Sequence, residues 1–334
     1  MSSTRSRLIE LLQTHNHEYI SGQILAEKLN ISRNAIWKHM QELADDGYNI
    51  DARPRLGYRI IDVPDKVSEN TIQWGLQTNW LGQRIVHKTS LPSTQTLAHQ
   101  LAQKNAKHGT VIIADEQTTG KGRMGRSWDS NNTDGIWLSM IVRPQIPPYL
   151  APQLTLLTAT VLADLIKEET NLQPQIKWPN DLLIDQKKIS GILTEMHAEQ
   201  DQILYVIIGI GLNVNQSRTD FDDIVQKRAT SLYEETNKQW DRHRLIQQLL
   251  NLFEKSYESY IGEGFTKVKQ KWESYGFRIG EQINIKTMKH EWTSQFLGIA
   301  EDGALLITNP EGKQDKLYSG EIQWFARGYD HENT

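Results

Sequence analysis

The chain contains no cysteine, which excludes disulfides, thiolate nucleophiles and thiolate-bound metals and suits a reducing compartment. Long apolar segments are also missing. The apolar run through Tyr205 to Leu212 is much too short to span a bilayer. The N-terminus, Met1-Ser2-Ser3-Thr4-Arg5, leads into a polar amphipathic stretch without the apolar core of a signal peptide. A cytoplasmic protein with no membrane association is the expectation. The ten histidines show no H-x-x-x-H spacing near a carboxylate, so no metal-ligand set is apparent. A formal net charge of −4 gives no general pull toward nucleic acid, so any such binding needs a local basic patch. Two nucleotide fingerprints are absent as well: there is no G-x-x-x-x-G-K-[ST], and Gly209-Ile210-Gly211 lacks the third glycine of G-x-G-x-x-G. At 334 residues the chain exceeds the size at which one core usually divides, so two or three domains are expected.

What is present begins with a helical N-terminal module. Leu8, Ile9, Leu11 and Leu12 share one helical face, and Ser21 reads as the N-cap of a second helix with Ile20 and Leu25 as a hydrophobic staple. Asn30 stops that helix. Ser32 then caps a third, in which Ile36, Met40 and Leu43 form the inward stripe and Arg33, Asn34, Trp37, Lys38 and Gln41 face outward. A short hairpin follows, Tyr48 to Ala52 and Gly57 to Ile60 around Pro54. Two closely spaced helices and a wing make a winged helix-turn-helix, whose outer residues would enter a major groove. Residues 1–62 hold eight Lys or Arg against eight Asp or Glu, so placement matters more than sum. Ser32, Arg33, Asn34, Trp37, Lys38, Arg53 and Arg55, with Arg59, fall where bases and phosphates would lie. A protein-docking role is the alternative for such a module. One module touches one half-site, so operator binding implies a dimer.

Pro64, Asp65 and Lys66 mark a linker. Beyond it, strand-like runs at 84–87, 110–114, 136–142, 175–178, 182–184, 189–195 and 203–210 are interspersed with helical stretches at 94–105 and 150–170, a mixed α/β pattern rather than a doubly wound parallel sheet. Within it, Gly120-Lys121-Gly122-Arg123-Met124-Gly125-Arg126-Ser127-Trp128 packs three glycines and three cations into nine residues closed by an indole. Glycine allows close backbone approach. Arginine offers a planar fork for phosphate or carboxylate, and lysine a point charge. The loop is suited to an anion, although a solvated basic loop would have the same composition. Other short signals stay open on their own. Ser93-Thr94 after Pro92 reads also as a helix N-cap, Lys188 beside Lys187 as a solvated turn, Trp178-Pro179-Asn180-Asp181 as a rigid turn, and Gly209 to Asn213 as a strand end. From Phe277 the chain reads as short strands at 282–286, 291–299, 304–308 and 316–320, separated by the turns Glu301-Asp302-Gly303 and Asn309-Pro310-Glu311-Gly312, a small β-barrel.

Taken together these motifs resemble biotin protein ligases over essentially the whole chain, and the first sixty residues resemble the DNA-binding domain of bifunctional biotin operon repressors. The carrying residues are Ser21-Gly22-Gln23-Ile24-Leu25-Ala26, Ser32 to His39, Ser93-Thr94-Gln95, the loop 120–128, Trp178 to Asp181, Lys188 to Leu193 and Gly211-Leu212-Asn213. The loop departs from the family pattern G-R-G-R-x-G-R-x-W only at Lys121, which keeps the charge and loses the bidentate fork.

The resemblance implies an α+β multidomain fold: a winged helix-turn-helix over 1–63, a class II synthetase-like catalytic domain over 67–272, and an SH3-like β-barrel over 273–334. It implies biotin contacts at Ser93, Thr94, Gln95, Gln117, Gly120, Lys121, Arg123, Lys188, Gly191 and Ile192, and ATP contacts at Arg123, Arg126, Trp128, Asn180 and Asn213. Arg123, Lys188 and Asp181 are the expected catalytic groups, with Asp181 as base or turn residue. ATP and biotin are the implied substrates, with Mg²⁺ on the phosphates. Biotin carboxyl carrier protein (of acetyl-CoA carboxylase or pyruvate carboxylase), operator DNA and a second copy of the chain when adenylate is bound are the implied partners. A lipoate ligase, which shares the catalytic fold, and a sensor-repressor without ligase activity are the alternatives.

Overall fold

The computed structural model describes residues 4–14, 18–62, 64, 66–223, 225–286, 291–309, 311–318 and 321–324. Met1 to Ser3, Asp65 of the linker, Pro310 of the second turn and Gly320, the expected end of the last strand, lie outside the described residues.

The N-terminal module contains helices α1 (Thr4–Thr14), α2 (Gly22–Leu29) and α3 (Arg33–Asp45), then strands β1 (Asn49–Arg53) and β2 (Gly57–Asp62). Both expected caps form: Ser21 Oγ accepts from Ile24 N at 3.2 Å and Ser32 Oγ from Ala35 N at 3.1 Å. Asn30 ends α2 in the left-handed conformation. Leu8, Leu12, Ile20, Leu25, Ile36, Met40 and Leu43 form a small core of their own, which leaves Arg33, Asn34, Trp37 and Lys38 on the solvent side of α3. The wing is braced. Asp51 receives Arg59 at 3.0 Å and the Tyr19 hydroxyl, while Arg53 and Arg59 lie over the Tyr19 ring at 5.3 and 4.7 Å. Arg53 and Arg59 therefore already have partners within the module, and Arg55 stands exposed in the turn between the strands, at φ 70°.

The seven-stranded sheet of the central domain is built from β3 (Arg84–Leu91), β4 (Thr110–Gln117), β5 (Ile136–Val142), β6 (Gln175–Lys177), β7 (Asp181–Ile184), β8 (Lys187–Glu199) and β9 (Gln202–Leu212) in the order β3-β4-β5-β9-β8-β7-β6. Only β3 and β4 run parallel, so the sheet is mixed and not doubly wound. Helix α4 (Glu69–Gly75) leads into it and α5 (Thr94–Gln103) covers one face. Against that face Ala98, Ala102, Ile112, Ile141 and Ile207 pack together. The opposite face, with Val111, Ile113, Leu138 and Met140, meets α6 (Pro152–Thr170). Covered on both sides, β5 is buried at every residue. Helix α6 is long and apolar enough to cross a membrane by length and composition, but 72% of its apolar window is buried inside the fold, as suits a core helix.

Four helices have no counterpart in the sequence reading: α4, α7 (Leu232–Thr236), α8 (Arg242–Glu263) and α9 (Thr266–Tyr275). Helix α8 buries Leu245, Ile246, Leu249, Leu250, Phe253, Tyr257 and Tyr260 at helical spacing. The carboxylate of Glu254, on the same helix, accepts from the N–H groups of Asn79, Trp80 and Leu81 at 2.6, 2.9 and 2.7 Å and so ties α8 to the loop before β3.

The C-terminal segment is a five-stranded antiparallel sheet, β10 (Gln282–Lys286), β11 (Glu291–Ile299), β12 (Leu305–Thr308), β13 (Gln314–Leu317) and β14 (Glu321–Gln323), ordered β13-β12-β11-β10-β14. The strand expected at 316–320 starts two residues earlier. The turn closed by Gly312 N on Asn309 O at 2.9 Å sets Gln314 opposite Thr308, which brings Leu317 against Leu305. Phe277, Ile283, Phe296 and Trp324 continue the main core without a break.

Candidate ligase site

Strands β8 and β9 pair so that Gly191 faces Gly211 across the ladder. A Cβ at Gly211 would fall 2.5 Å from the Trp128 indole nitrogen, and one at Gly191 would fall 2.9 Å from the same ring. The two glycines are therefore a bare floor on which the indole lies flat. Above that floor runs a cleft of about 790 Å³. It is lined by Ser93, Thr94, Gln95, Gln117, Lys121, Arg123, Arg126, Trp128, Asn180, Asp181, Lys188, Gly191 and Ile192, all singled out in the sequence. Gly120 and Asn213 lie elsewhere, in an adjoining cleft of about 990 Å³ that shares Gln117, Ser127, Trp128 and Lys188. Trp128 is thus a common wall of both.

The loop 120–128 is a narrow hairpin: Gly122 N donates to Arg126 O at 2.7 Å and Trp128 N to Gly120 O at 3.0 Å. Met124 at its tip is 88% exposed, and Gly125 takes φ 75° with open space around it. From this hairpin Arg123 reaches Asn180 Oδ1 at 2.9 Å, while the Asn180 amide donates to Ile192 O at 3.0 Å. The loop, the turn before β7 and strand β8 are thereby joined. Trp178, in the same turn, donates to Gly303 O at 3.2 Å and links the site to the C-terminal sheet.

Lys188 Nζ is 2.9 Å from Asp181 Oδ1 and 5.0 Å from the Trp128 ring centre. Lys177 Nζ approaches Asp181 Oδ2 at 3.5 Å. Burial alone would raise the Asp181 carboxyl, but the two ammonium groups outweigh it and hold the group below the ordinary carboxylate range. The Lys188 backbone is pinned by Arg228 O at 2.6 Å and Thr230 N at 2.9 Å. Ser93 occupies the N-cap position of α5, yet its hydroxyl makes no cap hydrogen bond although the residue is 2% exposed. The helix does not use that hydroxyl. Asn213 is buried and donates to Thr230 O at 2.9 Å, which anchors the far wall of the second cleft.

Several lining residues went unnoticed in the sequence: Leu138 and Ser139 from the middle of β5, and Phe221, Val225 and Arg228 around the second cleft. None sits in a motif; the sheet and the chain reversal after β9 bring them in. A third cleft of about 1050 Å³ adjoins Arg123, Asn180 and Ile192 on the C-terminal side and holds Tyr149, Met196, Asp302 and Tyr318.

Residues 4–59 match an HTH domain model, 88–213 the biotin/lipoate A/B protein ligase family, and 279–324 the biotin protein ligase C-terminal domain. The bifunctional ligase/repressor BirA of Bacillus subtilis is 46% identical over 322 residues, covering 96% of this chain and 99% of that protein. The chain belongs to the bifunctional biotin ligase/repressor family. The Escherichia coli ligase/repressor is 30% identical over 90% of this chain and 91% of that one. The biotin protein ligase of Aquifex aeolicus, solved in complex with biotin and ATP, superposes with a TM-score of 0.62 at 32% identity, covering 72% of this chain and 97% of that chain. The region-88–213 model spans biotin and lipoate ligases alike; the full-length match, helix-turn-helix included, is with the biotin ligase/repressors.

The Asp181 pairing has a pH signature. A carboxyl held low in the folded state stabilises the fold above its unfolded pKa of about 3.9, and that contribution is lost as pH falls through the lower folded value. Urea unfolding of Lys188→Met against the parent should show a deficit at pH 7 that shrinks below about pH 4; an equal deficit at pH 3 would contradict the pairing.

Proposed function

We propose that this ligase joins biotin to ATP in the cleft between Lys188, Arg123 and Trp128, then passes the biotinyl group to a carrier lysine. The observation that supports this best is the convergence of Lys188, Arg123 and Arg126 above the glycine floor, where two anions must meet. In the first step a biotin carboxylate oxygen attacks the α-phosphorus, the bond from that phosphorus to the α,β-bridging oxygen breaks, and pyrophosphate leaves with that oxygen. Such displacements depend mainly on positioning and on charge placed where it develops. Lys188 would hold the biotin carboxylate, and Arg123 and Arg126 the α-phosphate. ATP would enter as its magnesium complex, with the base in the second cleft near Asn213. The ring system of biotin would lie against Ser93, Thr94, Gln95 and Gln117, and Gly120, Lys121, Gly191 and Ile192 would complete its walls.

In the second step the carrier amine attacks the acyl carbon, AMP leaves, and the amine loses a proton. Asp181 is the candidate acceptor. Paired with two lysines it is a weak base, but a biotin carboxylate that draws Lys188 away removes one of them and makes Asp181 more basic. No covalent bond to the enzyme is needed. The carrier we propose is the biotin carboxyl carrier protein of acetyl-CoA carboxylase or pyruvate carboxylase.

The repressor role rests on α3 and the wing. We propose that the adenylate-bound protein dimerises and sets Ser32, Arg33, Asn34, Trp37 and Lys38 into the major groove of an operator half-site, with Arg53 and Arg55 on the backbone of the wing side. Ordering of loop 120–128 by adenylate supplies the differential affinity that such coupling requires.

Incubated with biotin, ATP and magnesium, the protein should add one biotinyl mass to a carrier domain by mass spectrometry. Arg123→Ala and Lys188→Ala should each lower kcat/KM by about 10²–10³-fold; an unmodified carrier in the presence of bound biotin would instead indicate a sensor without chemistry. On operator DNA, Arg55→Ala should reduce the slope of log affinity against log salt by about one, and an unchanged slope would remove Arg55 from the phosphate contacts.

A further inference from the structure

The N-terminal module and the central domain do not share a core. The buried apolar residues of the module, from Leu8 to Ile60, form one cluster, and those of the central and C-terminal domains form another. Where no apolar core runs across a joint, its angle depends on the polar contacts that span it. Helix α1 lies beside α4 and seats the module; the recognition helix α3 is held at its own end, by a carboxylate.

Asp46 is the C-cap residue of α3. Its Oδ2 accepts from Ser68 Oγ at 3.1 Å, and its Oδ1 lies 3.1 Å from Lys66 Nζ. Both Asp46 and Ser68 are buried. Ser68 is also the N-cap of α4, where its hydroxyl accepts from Thr71 N at 3.1 Å. Helix α4 is in turn tied to the central domain: Gln247 of α8 donates to Thr71 O at 2.8 Å and Ile72 O at 3.1 Å, and the Glu69 carboxylate accepts from His87 N of β3 at 3.1 Å. A line of hydrogen bonds therefore runs from β3 and α8, through the first turn of α4, to the last turn of α3. A Cβ at Gly47 would fall 3.2 Å from Pro64 Cβ, so the linker passes close over the same helix end.

We propose that Asp46 is a positioning residue for repression: by holding the end of α3 to Ser68 and Lys66 it fixes the angle of the recognition helix on the central domain, and with it the number of base pairs that a dimer accepts between two half-sites. The proposal rests on the dimeric operator-binding reading above. A dimer that forms when adenylate fills the central domain is joined through that domain, so the distance between its two recognition helices passes through this joint twice. The joint has a long arm. Helix α3 holds 13 residues, about 20 Å at 1.5 Å per residue. A tilt of about ten degrees at Asp46 would carry Arg33 and Asn34 about 3.4 Å, the rise of one base pair. Asp46 lines none of the three clefts, and it acts on DNA only through the helix that it holds.

The test starts from the inverted repeat that the full-length protein, loaded with adenylate by biotin, ATP and magnesium, selects from random-sequence DNA. Affinity is then measured for that repeat and for versions with one base pair added to the spacer or removed from it. Each change moves one half-site by about 3.4 Å and turns it by about 35°, and the parent should lose about tenfold or more in affinity. In Asp46→Ala and in Ser68→Ala, which cut the same contact from its two sides, that loss should fall to about threefold or less. Asp46→Asn, which keeps an acceptor for Ser68, should lie between them and the parent. A merely structural Asp46 would weaken binding to every spacer alike and leave the ratios at the parent's values, which would overturn the proposal, as would a parent indifferent to spacer length. Selection of no inverted repeat by the parent would overturn the operator-binding reading itself.

Discussion

Everything at the site depends on the pairing of Gly191 with Gly211 across β8 and β9. Any side chain at either position would meet the Trp128 ring, so the absence of two Cβ atoms is what lets an indole lie on the sheet. Once Trp128 is seated, the hairpin 120–128 has one place to stand, with Arg123 on Asn180 and Lys188 beside the ring. The same register sets Lys188 opposite Leu183 and Asp181 opposite Gly191 on the neighbouring strand β7, which brings the ammonium and carboxylate together. A one-residue slip would turn Lys188 and Ile192 to the other face and dissolve the site.

The charge pattern follows from that geometry. Asp181 is kept ionised by Lys188 and Lys177, so the ligand-free cleft already balances part of its positive charge internally. In the binding mode we propose, an entering carboxylate exchanges one partner of Lys188 for another, which costs less than leaving its ammonium without a partner. The same proposal links substrate binding to the base strength of Asp181 through a single lysine.

Much of this was legible in the sequence because it is written in short contiguous stretches. The loop 120–128, Ser93 to Gln95, Trp178 to Asp181 and Lys188 to Ile192 each carry residue types whose chemistry can be read without a fold, and the structure brings them to one cleft. The helix-turn-helix was legible for the same reason: its caps at Ser21 and Ser32 and its inward stripe are local patterns. Ser139, Leu138, Phe221 and Arg228 were not. They lie in a buried strand or a loop with no motif, and only long-range strand pairing brings them to the ligand clefts. Helix α8 escaped notice although its stripe is regular; with Arg, Gln, Glu and Lys on its outer face its mean character is polar, and no glycine or proline punctuates its start.

If the cleft activates biotin as a mixed anhydride before any carrier arrives, labelled pyrophosphate exchanges into ATP without carrier protein. That exchange should need biotin and fail in Arg123→Ala. Biotin binding with no exchange in the intact protein would rule out activation in this cleft.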